Sequence, residues 1–253
     1  MKADTSESTP YSSRRLYGRR KGPKLSARKT SLLETQLPLL RLAVPDDGRR
    51  LAPTSFFKNS IREVWLEIGF GAGEHLSALA RGFPHVGFIG CEPYISGMAA
   101  LLGLVNKQGL DNIRLSDIHG QDIIESLETA SITRMFVLFP DPWPKTRHWR
   151  RRFVNPAMIK EATRVLVDGG WLYMASDEPS YVKWVMQHMT APSPTLSANF
   201  EWRAESPADW RQRSDDWPKL PTGMSYPQTR YETKARQAGR CPTYLTFRRF
   251  PRN

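Results

Sequence analysis

Leu66-Glu67-Ile68-Gly69-Phe70-Gly71-Ala72-Gly73-Glu74-His75 is the stretch that decides the fold. An apolar run starting near Val64 ends in three alternating glycines, and an amphipathic segment of helix length begins at Glu74. Gly69, Gly71 and Gly73 let the backbone turn tightly and come close to a ligand. Outward from this turn, strand-like runs at 64–69, 86–91, 113–117, 132–139, 170–176 and 243–249 alternate with helical patterns at 74–81, 95–108, 121–128, 155–167, 179–190 and 229–238. Strand then helix, repeated, specifies an α/β fold with a mostly parallel sheet and helices on both faces. The last run, Tyr244-Leu245-Thr246-Phe247, follows the last helix and is expected as an antiparallel addition at a sheet edge. Residues 191–228 are dense in Pro, Ser, Trp and Asp, so irregular structure is expected there, with one strand near Phe200–Ala204.

The chain has 253 residues, 40% of them hydrophobic, enough for one domain with a sizeable core. No apolar run of about eighteen residues occurs, so no membrane span is expected. The polar, basic start does not read as a secretory signal. Two cysteines, Cys91 and Cys241, are too few for a disulfide framework and suit a reducing cytoplasm. The five histidines do not cluster with them at ligand spacing, so no metal site is expected. A net charge of +12 and a pI near 10 favour a polyanionic partner, nucleic acid ahead of an anionic membrane. Nine Lys or Arg against two acids among the first 30 residues supply over half of that excess. Residues 1–55 are accordingly expected as a basic, largely flexible arm and lead-in, and 56–253 as the folded domain.

The glycine turn narrows the ligand. Glu92 ends the second strand, 25 positions after Glu67, where an acid accepts hydrogen bonds from ribose hydroxyls. A pyrophosphate would sit at the helix N-terminus, but Glu74 stands where the dinucleotide fingerprint has its third glycine. Acids in and before the loop repel a pyrophosphate and attract a cation, so S-adenosylmethionine, with its sulfonium and ammonium, fits better than a nicotinamide dinucleotide. Glu74 also reads as a first-turn acid favoured by the helix dipole.

The fourth strand runs into Pro140-Asp141-Pro142-Trp143-Pro144-Lys145. Three prolines preset the loop torsions and hold Asp141 at the carboxyl edge of the sheet. Trp143 offers a flat face to a base, and Lys145, Arg147, Arg150, Arg151 and Arg152 follow with no acid among them, suiting a phosphate backbone. The plainer alternative is a proline-rich connection followed by a solvated charge run.

Glu67 to Gly73, Cys91-Glu92-Pro93, Phe139-Pro140-Asp141-Pro142-Trp143-Pro144-Lys145-Thr146-Arg147-His148, Ala175-Ser176-Asp177 and Thr229-Arg230-Tyr231-Glu232 together resemble the bacterial tRNA (guanine-N7-)-methyltransferases of the TrmB type. The likeness spans about residues 60–250. It implies a Rossmann-like class I methyltransferase domain, with a mostly parallel seven-stranded sheet carrying one antiparallel strand. It further implies transfer of a methyl group from S-adenosylmethionine to guanine N7 in the tRNA variable loop, by a cytoplasmic monomer or homodimer with no obligatory protein partner. By matching position, Glu67, Gly69, Gly71, Gly73 and Glu92 are expected to bind the donor. Asp141 is expected as the catalytic acid, also touching the donor. Lys145, Asp177, Thr229, Arg230, Tyr231 and Glu232 are expected to bind substrate. The family carries an acid after the third strand, near the adenine; His119 occupies that place here, with Asp117 and Asp122 nearby, so the residue meeting the adenine stays open among the three. Two further uses compete. Asp177 before Pro179 could cap a helix, and Thr229 with Glu232 has capping-box spacing. The rival functions are a catalytically impaired Rossmann-like RNA-binding protein and a methyltransferase for another RNA.

Overall fold

The computed structural model describes residues 17, 18, 20, 22–45, 47–58, 60–190 and 199–252. Most of the basic arm, including Lys2, Arg14, Arg15, Arg19 and Lys21, and part of the segment expected to be irregular lie outside the described residues. In chain order the elements are α1 (Ala27–Thr35), α2 (Leu37–Leu40), β1 (Glu63–Ile68), α3 (Glu74–Gly82), β2 (Val86–Cys91), α4 (Ile95–Gln108), β3 (Ile113–Ser116), α5 (Gly120–Ser126), β4 (Ile132–Leu138), α6 (Pro156–Val165), β5 (Leu166–Ser176), α7 (Pro179–Thr190), β6 (Phe200–Trp202), α8 (Ala208–Arg211), α9 (Arg230–Gln237) and β7 (Thr243–Arg249). Short 3-10 turns occupy Pro53–Phe56 and Thr146–Arg151.

The strands form one seven-stranded sheet in the order β3-β2-β1-β4-β5-β7-β6. All pairings from β3 to β5 are parallel, and β7 runs antiparallel to both β5 and β6. The sheet is thus of the Rossmann-like class I methyltransferase type, with one reversed strand. β7 departs from the expected edge position: the three-residue β6 pairs along its outer side, so the reversed strand is interior.

Side chains alternate across each strand and build two apolar layers. Leu66, Ile68, Met135 and Val137 pack under α5, α6 and α7. Trp65, Phe136 and Leu138 pack under α3 and α4 on the other face. The segment before residue 55 contributes to both layers, Leu32, Leu33 and Leu37 to the second and Leu42 to the first. Ser26 caps α1, Leu32 and Leu33 pack toward α4, Leu37 is buried, and the Leu42 N–H donates to the Leu115 carbonyl at 2.7 Å. Leucines spaced through α1 and α2 give this part of the lead-in an apolar face that its charge-rich surroundings obscure. No helix among the described residues is long and apolar enough to cross a membrane.

Candidate active site

β1 and β4 lie side by side, with β2 and β3 to one side and β5 to the other, so the strand order reverses between them. Loops leaving such neighbours part and open a crevice at the carboxyl edge of the sheet. Here the crevice is a cavity of about 780 Å³, lined from successive strand ends by Gly69 and Gly71, by Glu92, by His119 and by Asp141. That size suits a nucleoside-sized ligand.

The glycines have distinct duties. Gly69 and Gly71 adopt φ of 73° and 59°, in the left-handed region. A Cβ on Gly69 would meet no atom within 4 Å, so the backbone there borders open cavity. Gly73 does not line the cavity: a Cβ on it would stand 2.6 Å from Leu101, so its bareness lets the loop seat against α4. The two acids also divide. Ile68 lines the cavity, and alternation along β1 turns Glu67 to the opposite sheet face. There the buried Glu67 carboxylate lies 2.8 Å from Nδ1 of the buried His75. Glu92 is the acid at the wall. Its Oε2 accepts from Gly71 N–H at 2.8 Å and its Oε1 from Tyr94 N–H at 2.9 Å. Burial pushes the Glu92 carboxyl above its ordinary range; the two N–H donors oppose this, and Asp141 and Glu67 add to it.

His119 lines the cavity and starts α5, its Nδ1 accepting from Gln121 N–H at 3.1 Å. Asp117 is turned to Arg41, 2.7 Å away, and Asp122 is buried outside the lining. Of the three residues left open by the sequence, His119 alone borders the cavity.

Asp141 is open to the cavity, and the surrounding protein raises its carboxyl above the ordinary aspartate range. Its loop is bent at both ends. Phe139 and Trp143 carry φ of 50° and 42°, a conformation costly for side-chain-bearing residues. Behind the loop, the charge run expected to face phosphate splits. Lys145, Arg147 and Arg150 are exposed. Arg151 lies over the Trp143 and Tyr17 rings at 4.9 and 5.0 Å. Arg152 borders the cavity with Arg150 and Arg151, but at 1% exposure it offers too little surface to pair with a tRNA phosphate.

Among the expected substrate residues, Arg230 and Tyr231 line the cavity mouth, and the Tyr231 ring lies 3.3 Å from where a Gly71 Cβ would be. Thr229 and Glu232 are buried behind them. Thr229 Oγ1 accepts from Glu232 N–H at 3.1 Å, giving half of a capping box. The Glu232 carboxylate turns away to Arg213 and Arg236, each at 3.2 Å. Asp177 pairs with Arg240 at 2.6 Å, and neither it nor Lys145 borders the cavity. The sequence reading missed Tyr94, Gly97, Gln121 and Lys234 in the wall, and Tyr17 and Gly18 at its rim. Tyr94 and Gly97 had a signal, because the helix following Glu92 must start beside the glycine loop.

Comparison with known proteins fixes the family. A family model described as "Putative methyltransferase" matches residues 62–243. The tRNA (guanine-N(7)-)-methyltransferase of Rhodospirillum rubrum is 45% identical over 245 residues, covering 96% of this chain and 91% of that protein. The protein of the same name from Ruegeria pomeroyi is 43% identical over 250 residues, covering 96% and 98%. The chain belongs to the tRNA (guanine-N(7)-)-methyltransferase family. It is therefore a methyltransferase. Among solved structures, an rRNA methylase from Streptococcus thermophilus aligns with a TM-score of 0.48 and 10% identity, covering 75% of this chain and 87% of that one.

Proposed function

We propose that this enzyme transfers the methyl group of S-adenosylmethionine to N7 of a guanine in the variable loop of tRNA. The observation that carries the reading is the shared cavity. A glycine turn, a ribose-height carboxylate and a loop-held aspartate face one space, with cationic side chains at its mouth. The residues fit that donor. Gly69 leaves room where any side chain would intrude. Glu92 keeps unused lone pairs on both oxygens for ribose hydroxyls. A cationic ligand would relieve the repulsion among Glu92, Asp141 and Glu67.

The bound donor supplies a methyl carbon on sulfonium, open to in-line displacement. Guanine N7 has an in-plane lone pair and no proton, so no side chain has to act as a base on it. As the N–C bond forms and the C–S bond breaks, positive charge passes to the purine ring. Asp141, fixed beside that path, stabilises the charge electrostatically and orients the base. His119 is assigned to the adenine edge. Glu67 and Gly73 act from behind the loop, the first through His75 and the second through α4. Arg230 and Tyr231 take the direct substrate contacts of the Thr229–Glu232 segment, while Thr229 and Glu232 build the start of α9. Lys145 and the exposed arginines after it meet the tRNA backbone. Asp177 holds Arg240 at the same edge.

The test is incubation with unmodified tRNA and methyl-labelled donor, followed by nucleoside analysis. Label in 7-methylguanosine within the variable loop is expected. Label confined to another nucleoside, or donor binding without transfer, would reject the proposal.

A further inference from the structure

Pro140, Pro142 and Pro144 have no N–H to donate. The Asp141 loop must therefore be anchored largely through its carbonyl oxygens, and something must supply donors to them. Arg152 does. Its Nε donates to the Pro142 carbonyl at 2.9 Å and its Nη2 toward the Trp143 carbonyl at 3.5 Å. The same guanidinium donates from Nη1 to the Ser180 carbonyl at 3.1 Å and from Nη2 to Ser180 Oγ at 3.0 Å, tying the loop to the first turn of α7. Its faces meet the rings of Trp149, Tyr181 and Trp184 at 4.8, 5.4 and 5.3 Å. Among the described residues no carboxylate is in ion-pair contact with it, and Glu178 attracts it only from a greater distance. Solvation of this buried charge comes from oxygen acceptors and aromatic faces.

Such an arrangement is costly for a group that merely fills space, because a buried cation with no counter-ion in contact loses its water. What it holds is a loop bent into the left-handed region on either side of Asp141, at Phe139 and Trp143. Bends of that kind persist only where surrounding contacts over-determine them. Left to itself, the chain would relax toward negative φ, and the carboxylate would swing with it.

We propose that Arg152 is a positioning residue, the clamp that fixes where the Asp141 carboxylate stands in the cavity. The inference rests on the catalytic reading of Asp141 given above. A planar fork with five donors can serve several oxygens at once, whereas a lysine ammonium cannot reproduce that fork.

The experiment compares wild type with Arg152→Lys and Arg152→Gln in steady-state tRNA methylation. S-adenosylhomocysteine binding stoichiometry reports the folded fraction, and crystal structures of the variants report the loop. Since a misplacement of about 1 Å can cost roughly a hundredfold in rate, Arg152→Lys is expected to lose about that much kcat. Its KM for tRNA and its S-adenosylhomocysteine affinity should stay close to the wild-type values, because a group acting only on the transition state lowers kcat and leaves KM. A native kcat in both variants overturns the proposal. So does a kcat loss that merely tracks the folded fraction, or loss of binding stoichiometry in both, because Arg152 would then serve the fold alone. Absence of 7-methylguanosine from the wild-type reaction defeats the functional reading instead. In that event an Asp141 carboxylate displaced in the variant crystals still upholds the clamp, and an unmoved one refutes it.

Discussion

Replacing Gly97 by alanine should damage donor binding far more than its one added methyl suggests. Gly97 lies in the first turn of α4, and a Cβ there would stand 2.2 Å from the Gly71 carbonyl oxygen and 3.4 Å from Glu92 Cγ. Carbon–oxygen contacts settle at about 3.3–3.6 Å, so loop and helix must separate by about 1 Å. Gly71 N–H sits 2.8 Å from Glu92 Oε2, and that shift would carry it beyond hydrogen-bonding reach. Overpacking costs about 1–3 kcal/mol, and a buried carboxylate that loses a donor costs a similar amount. At about 2–4 °C per kcal/mol for a chain of this size, Tm should fall by roughly 4–24 °C. The Kd for S-adenosylmethionine, measured by titration calorimetry, should rise at least about tenfold, equivalent to about 1.4 kcal/mol. Gly103→Ala in the same helix is the control. Its Cβ would meet only Leu32 at 3.9 Å, so the better helix propensity of alanine should raise stability by up to about 1 kcal/mol. A Gly97→Ala protein with native Kd and Tm, or two variants that behave alike, would refute the reasoning.

Three further outcomes follow from the same geometry. The folded state holds the Glu92 proton more tightly than the unfolded state, so the stability this group adds is present at low pH and lost as pH rises through its elevated folded value. A cationic donor needs the ionised form, so its Kd should weaken as pH falls and begin to do so above the ordinary glutamate value of about 4.3; a Kd flat down to that value would contradict the assignment. His75→Ala leaves the Glu67 carboxylate buried without its partner, and urea unfolding should show a loss of about 3–5 kcal/mol, a loss below about 1 kcal/mol counting against the pairing. Arg147→Ala with Arg150→Ala should reduce the slope of log affinity for tRNA against log salt by about 1–2, and an unchanged slope would remove both residues from the phosphate contact.

The parallel strands were legible because their apolar runs are bounded by glycine, proline or acidic turns. The place of the reversed strand was not. Nothing in Tyr244–Phe247 reveals that Phe200–Trp202, three residues with little pattern, adds along its far side. α1 escaped notice because Leu32 and Leu33 sit among polar residues that dominate any average. At the site, Asp141, Glu92, Gly69 and Gly71 could be read from strand–loop position. Strand alternation could also have turned Glu67 away from the cavity: Ile68 takes that side, and His75 stands in the first turn of the next helix. Arg152 had no such signal. In a run of like charges, only the folded loop decides which member is drawn inside to meet its carbonyls.

Single-turnover transfer from a preformed complex with donor and unmodified tRNA, comparing wild type with Asp141→Asn, tests the central claim most directly. Wild type should yield 7-methylguanosine. The variant should bind tRNA and donor with near-native affinity and react roughly 100–1000-fold more slowly, as for loss of an electrostatic group aimed at the transition state. A variant that methylates guanine N7 at close to the wild-type rate would contradict the claim that the cavity carboxylate of Asp141 drives the reaction.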